Sequence, residues 1–228
     1  MKFRVKADKI LTLNPDILIV PECENPDKLI FSSNVKKPTD VFWYGENKNK
    51  GLGIFSYSTF KIKLHTWHNP DFRMILPLSM SNETEEFTMF AIWANNPNDS
   101  DNQYIGQVWK AINYYQQYIT GSKTILIGDF NSNTIWDKKN RIGNHSHVVE
   151  FLKERNIYSL YHHYFSEEQS QETKPTLFLY RHENKPYHID YCFASKCFLE
   201  KTVSVSVGQF SEWIKHSDHM PVIIDIEG

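Results

Sequence analysis

The sequence predicts a mixed α/β (α+β) fold, a four-layer sandwich of two packed, mainly antiparallel β-sheets flanked by α-helices. Three observations lead there. Short runs rich in β-branched and aromatic residues follow one another in hairpin fashion, a few stretches of helical periodicity interrupt them, and the two do not alternate strictly as they would in a parallel sheet. The chain has 228 residues, 40% hydrophobic and 14% aromatic, which is enough apolar material for one sizeable core. No glycine-, proline- or charge-rich block divides it, so residues 1–228 read as a single domain.

Each element has its own signal. Phe3, Ala7, Ile10 and Leu11 recur at helical spacing, giving a helix over 3–13 that stops before Asn14-Pro15. The apolar run 16–20, set between prolines, reads as a strand buried on both faces and ends at Pro21-Glu22. Strands are expected at 40–44, 52–57, 60–66, 72–78 and 86–94, separated by Gly, Asn, Pro or charged turns. Ile105, Val108, Trp109, Ile112, Tyr115 and Ile119 mark a helix over 103–119, with Gly121 where its C-terminus would stand. A second buried strand is expected at 123–128 and another helix at 146–155. Strands at 156–160, 176–180, 187–194, 202–207 and 221–226 complete the chain.

A formal net charge of -2 argues against a strongly basic nucleic-acid clamp, although it does not exclude nucleic acid as a partner. Three cysteines, Cys23, Cys192 and Cys197, cannot all pair and lack CxxC spacing, which fits a reduced compartment and speaks against structural zinc. No stretch approaches the ~20 apolar residues of a membrane span, and the start lacks a signal peptide's apolar core. The expectation is a cytoplasmic monomer.

Three places carry candidate chemistry. Gly128-Asp129-Phe130-Asn131 follows directly on a buried strand, so a sharp exit would present a carboxylate and an amide on a rigid support; the same residues also make ordinary turns. Asp190 sits in an otherwise aromatic and apolar strand, where an unpaired charge would cost several kcal/mol. It needs a donor. His219 in Ser217-Asp218-His219-Met220-Pro221 is the candidate, because neighbours on an extended backbone face opposite ways and Asp218 cannot easily serve it. An Asp on one ring nitrogen would fix the tautomer and favour the charged imidazole; the alternative is an Asp190 bonded to backbone amides. Glu22, at the end of the first buried strand, is either a hard oxygen ligand or a solvated loop charge, and Glu24 reads as a solvated loop charge too.

Taken together, PDILIVPECE, KGLGIFS, ILIGDFNSN, PTLF followed by YHIDYCFAS, and SDHMPV resemble the endonuclease/exonuclease/phosphatase superfamily, from about Asn14 to the C-terminus. The resemblance implies hydrolysis of a phosphate ester with Mg²⁺ or Mn²⁺, a nuclease or other phosphodiesterase being the first expectation. Glu22 would bind the metal with Asp218 near it, Asp129 would orient or deprotonate the attacking water, and Asn131 would help hold the phosphate. His219, paired to Asp190, would stabilise charge on a non-bridging oxygen. A phosphatase or phosphodiesterase of a small metabolite or lipid head group is the alternative substrate reading. A non-catalytic binding module on the same scaffold is the alternative of another class.

Two departures stand out. The family usually opens with a strand carrying an Asn in a pattern like TWN, and this chain starts at the helix that follows, so an N-terminal truncation is expected. Where many relatives place a His or Tyr that touches the phosphate, this chain has Trp93, which either stacks on substrate or packs; Asn95 and Asn96 behind it offer amides or form a turn. Four further histidines, His145, His147, His162 and His163, have no partner evident in sequence and read as solvent-exposed. Trp43, Tyr44, Arg181, His182 and Trp213 could flank the site.

Overall fold

A computed structural model describes residues 3–29, 36–95 and 103–227. It is a mixed α/β structure, with sheets flanked by helices, and its contacts divide the chain into two units, one ending at Trp93 and the other beginning at Ala94. Among the described residues no helix is long and apolar enough to cross a membrane.

The first unit opens with α1 (Phe3–Leu11), which begins because a carboxylate waits for it. Glu24 is 2% exposed and accepts the amides of Phe3 at 2.5 Å and Arg4 at 3.4 Å while pairing with the Arg4 guanidinium at 3.3 Å. Orphan amides and the helix dipole both favour a negative charge there, so Glu24 is a cap rather than a solvated loop charge. Three antiparallel strands follow, β1 (Ile17–Cys23), β2 (Asp40–Asn47) and β3 (Lys50–Ser56), in the order β1-β3-β2. In central β3 every residue after Lys50 is buried, and Phe55 packs with Tyr57, Val20 and Cys23 against Phe3 and Ala7 of α1. Strand β1 is less buried than its apolar run suggests: only Val20 and Cys23 are fully enclosed, because β1 lies at the edge of its sheet. A second antiparallel set, β4 (Lys61–Leu64), β5 (Ile75–Ser81) and β6 (Glu86–Trp93), runs in sequence order. The strand expected at 72–78 starts later, since Asn69 accepts the Asp71 amide at 3.0 Å and caps a 3₁₀ turn over Pro70–Phe72.

The second unit contains α2 (Ile105–Tyr114), β7 (Thr124–Asp129), α3 (His145–Lys153), β8 (Ile157–Ser159), α4 (Leu160–Phe165), β9 (Leu177–Phe178), β10 (Pro186–Tyr187) and β11 (Asp190–Ser195). Then come α5 (Lys196–Leu199), β12 (Thr202–Val207), α6 (Phe210–Trp213) and β13 (Val222–Ile226). Strand β11 lies between β7 and β8, β9 pairs with β10, and β12 with β13, all antiparallel. Helix α2 stops five residues short of Ile119, yet Tyr115 and Ile119 stay buried through the turn that follows. Gly121 closes that turn with φ +71, and a Cβ there would collide with the Arg155 carbonyl oxygen. Gly121→Ala is therefore expected to lower stability by about 1–3 kcal/mol, read as a lower denaturant midpoint at unchanged m.

The four histidines are not all solvent-exposed. His163 is exposed, but His147 Nδ1 accepts the amides of Gly143 at 3.0 Å and Asn144 at 3.3 Å, holding the start of α3. His162 pairs with Glu172 at 3.0 Å. His145 is 0% exposed, lies 4.8 Å from the Tyr191 ring, and neither ring nitrogen has a hydrogen-bond partner. Burial drives its pKa down to about 4, and the nearby charges of Asp137 and Glu172 do not restore it. The sign follows: the unfolded chain takes up a proton near pH 6.5 that the folded one refuses until about 4. The stability His145 contributes is thus present above about 6.5 and is lost as pH falls through that window. Urea midpoints at pH 7 and pH 4.5 should drop less in His145→Phe than in the parent; equal drops would show that this ring is not the acid-sensitive group.

Candidate active site

Strand β7 ends at Asp129 and β11 begins at Asp190, and the register sets the two residues opposite each other. Like charges directly across an antiparallel pair repel, and a cation beside them offsets that repulsion. Asp129 is 4% exposed and held from the turn after it. Gly128 takes φ 138, a conformation that disfavours a side chain, and Asn131 takes φ 47, the left-handed region that Asn tolerates. That turn aims the Asn131 backbone amide at Asp129 Oδ1, 2.8 Å away, and its Nδ2 at Asp129 Oδ2, also 2.8 Å. Asn131 Nδ2 donates a second bond to the Ala94 carbonyl at 2.8 Å, so both oxygens of Asp129 are fixed by one anchored residue, Oδ1 by its backbone and Oδ2 by its side chain.

The cation is His219. Its backbone amide donates to Ser217 Oγ at 3.1 Å, and its Nδ1 donates to Asp190 at 2.9 Å to Oδ2 and 3.2 Å to Oδ1. Burial works against charge on this ring, but Asp190 first, then Asp129 and Asp218, outweigh it and bring its pKa up to about 10. At neutral pH the ring is an imidazolium whose second N–H, at Nε2, is not the one bound to Asp190.

Asp129, Asp190 and His219 also present atoms within 4.8 Å of one another, close enough to hold a metal ion. The carboxylate oxygens suit a hard divalent cation, whereas a charged imidazole has no lone pair to give, so the oxygens carry that fit.

No family model matches the chain, and no curated protein matches it in sequence. Solved structures do match. A 3'-5' exonuclease from Neisseria meningitidis superposes with a TM-score of 0.71 at 17% identity, over 100% of this chain and 96% of its own. An AP endonuclease from Archaeoglobus fulgidus gives 0.67 at 14% identity, over 99% and 94% of the two chains. An endonuclease/exonuclease/phosphatase family protein from Leptotrichia buccalis gives 0.59 at 18%, over 99% and 92%. The chain has the endonuclease/exonuclease/phosphatase fold.

On this fold, the second unit gathers Asp129, Asn131, Asp190, Asp218 and His219. The backbone carbonyl of Asp218 accepts the Phe178 amide at 2.8 Å, and its side chain adds to the negative field on His219. Asn95 is half-buried, next in the chain to the Ala94 that Asn131 grips, and its carbonyl accepts the Tyr104 amide at 3.0 Å; Asn96 lies outside the described residues. Glu22 and Trp93 belong to the first unit. Glu22 sits at the β1 bulge with φ 57 and meets Lys50 Nζ at 2.8 Å; burial raises its pKa, but Lys50 outweighs this and leaves the net shift downward. Trp93 is 6% exposed, with the Lys50 ammonium 4.9 Å from its ring centroid.

The endonuclease/exonuclease/phosphatase fold also recruits residues that pattern reading passed over. Asn133, the last residue of GDFNSN, is 2% exposed, and its Nδ2 lies 3.1 Å from Glu172 Oε1 and 3.0 Å from both the His188 carbonyl and the Tyr191 hydroxyl. Burial would raise the Glu172 pKa, but bonds from His162 and Asn133 hold it down at about 2. This network braces the strand start that carries Asp190. Trp136 is 46% exposed and lies 5.1 Å from the Tyr187 ring. Its only sequence signal was an unexplained exposed-type Ile-Trp pair directly after the GDFN turn.

Proposed function

We propose that this chain is a divalent-metal-dependent hydrolase of phosphate esters and that its substrate is nucleic acid. The observation that carries the reading is the cluster of Asp129, Asp190 and His219, whose polar atoms lie within 4.8 Å of one another, with His219 Nδ1 on Asp190 at 2.9 Å and Nε2 on the ring's other side. Phosphoryl transfer asks for positioning and charge neutralisation, and a fixed N–H donor beside a fixed carboxylate offers both around one phosphate. In this reading His219 donates to a non-bridging oxygen and stabilises the charge that builds there. Asp129 orients the attacking water and takes its proton, which is why both of its oxygens are steadied by Asn131. Asn131 serves the phosphate mainly through Asp129, since its Nδ2 protons are engaged by Asp129 and Ala94. By the family resemblance Glu22 and Asp218 would hold Mg²⁺ or Mn²⁺, and within the second unit the Asp129 and Asp190 oxygens are hard donors of the kind such an ion takes. When bound, the ion supplies Lewis-acid neutralisation of the phosphate. Lys50, 2.8 Å from Glu22, keeps that carboxylate ionised, the form in which it would serve as a ligand.

Nucleic acid is favoured over a small ester by the exposed Trp136 beside Tyr187, followed by exposed Lys138 and Lys139: an aromatic platform with cations suits a strand of stacked bases. The Neisseria exonuclease and the Archaeoglobus AP endonuclease share the fold and support the same reading. The test is a panel with Mg²⁺ and Mn²⁺: single-stranded DNA, abasic duplex, RNA, an activated phosphodiester and small phosphomonoesters. Metal-dependent strand cleavage is expected. Turnover of the small esters alone would remove nucleic acid as substrate. A metal titration that raises Tm with no turnover of any substrate would instead describe a binding module.

A further inference from the structure

Asp190 opens β11 and His219 lies in the segment ahead of β13, and a third segment joins them. Residues 176–178 run between the two. On one side Leu177 pairs with Tyr187 and Phe178 with Pro186, and the Thr176 amide donates to the Tyr187 carbonyl at 2.9 Å. On the other, Leu177 bridges His219, the Phe178 amide donates to the Asp218 carbonyl at 2.8 Å, and the Met220 amide donates to the Thr176 carbonyl at 2.7 Å. Thr176 is 0% exposed. Its Oγ1 accepts the amides of both Ile189 and Asp190, each at 3.0 Å, at the point where β11 begins. One hydroxyl therefore fixes the backbone of the acid, while the carbonyl of the same residue fixes the backbone next to the imidazole.

We propose that Thr176 is a positioning residue that holds Asp190 and His219 in hydrogen-bonding register, so that a change at its hydroxyl acts on the reaction through this pair. The alternative is that Thr176 only fills space and satisfies amides. A side chain that merely packs would be replaced without kinetic consequence by the isosteric valine, whereas loss of Oγ1 takes the acceptor from the buried Ile189 amide and the part-buried Asp190 amide at the root of the acid. Displacement of a reacting group by about 1 Å is enough for a loss of about 10²-fold.

The inference rests on the hydrolase reading, so its test has an arm independent of turnover. Thr176→Val should lower kcat by about 10²-fold with KM nearly unchanged, and Thr176→Ser, which keeps the oxygen, should restore most of it. In an Asp190→Asn background, Thr176→Val should add almost nothing, because the interaction it supports is already lost. Apart from activity, the His219 Nδ1 proton should give a strongly hydrogen-bonded resonance in the parent and in T176S that T176V loses. Thr176→Ala, which leaves room for a water to bond the two amides, replaces T176V if that variant does not fold, and should show the same order of effects at smaller size. Parent-like kcat in T176V, a loss additive with D190N, or an unaltered Nδ1 resonance would each overturn the proposal. If the parent hydrolyses nothing, the function reading fails alone and the resonance still decides this one.

Discussion

Asp129→Ala is expected to lower kcat toward a phosphodiester by about 10³-fold or more, with the fold intact. In the proposed role Asp129 is a positioned general base, a kind of group that contributes about 10²–10⁴-fold. Asp129 also stands opposite Asp190, so its removal relieves a like-charge contact across the β7–β11 pair. It also leaves two Asn131 N–H groups without their acceptor and takes a negative neighbour from His219, so the urea midpoint should fall only modestly while activity falls by orders of magnitude. The measurement is kcat and KM at saturating metal beside a denaturation curve. Retained turnover, or a loss matched by a fall in stability, would remove Asp129 from the chemistry.

The second large effect is in pH dependence. His219 keeps its proton to about pH 10 because Asp190 is bonded to it. In Asp190→Asn that charge is gone while the burial that disfavours an imidazolium stays, so the ring pKa should fall by several units. The alkaline limb of kcat against pH, set by loss of the donor N–H, should move down with it. Stability should follow with a definite sign. A pKa raised in the folded state stabilises fully below the unfolded value near 6.5, and that contribution drains away as pH rises to about 10. Urea midpoints of the parent should therefore fall between pH 7 and pH 9.5, and those of Asp190→Asn should not. An unmoved alkaline limb would mean that His219 is not the donor.

The sequence made one acid of the pair legible for a simple reason. Asp190 interrupts an apolar strand, and the cost of an unpaired charge there announces that a donor must arrive, whereas Asp129 was legible only as a carboxylate at the exit of a buried strand, a place that equally makes a turn. His219 was the candidate, and it lies 2.9 Å from Asp190. The buried histidines were not legible by the same logic. His145 has no hydrogen bond to advertise it, and the ring that covers it, Tyr191, comes from a distant strand. Glu22 against Lys50 was equally hidden, because a strand bulge decides that contact and a bulge has no composition of its own. Thr176 escaped notice because a threonine in a PTLF run fits a strand on propensity alone; only its burial and its two amide partners reveal what it holds. Helix α4, LYHHYF, shows no clean apolar period and owes its start to Ser159, whose hydroxyl accepts the His162 amide. Local rules therefore found the strands that end in chemistry, whereas polar partners brought in from afar needed the fold.

The pairing of β7 with β11 has a kinetic consequence. Those strands are separated in the chain by α3, β8, α4 and the β9–β10 hairpin, so their ladder closes a long loop, and loops of that kind close late. Compaction and helix formation can run ahead of it. In a refolding experiment catalytic competence should consequently lag behind the recovery of circular dichroism. A slip of one residue in that ladder would turn Asp190 to the other face of the sheet, giving a chain that looks folded and does nothing.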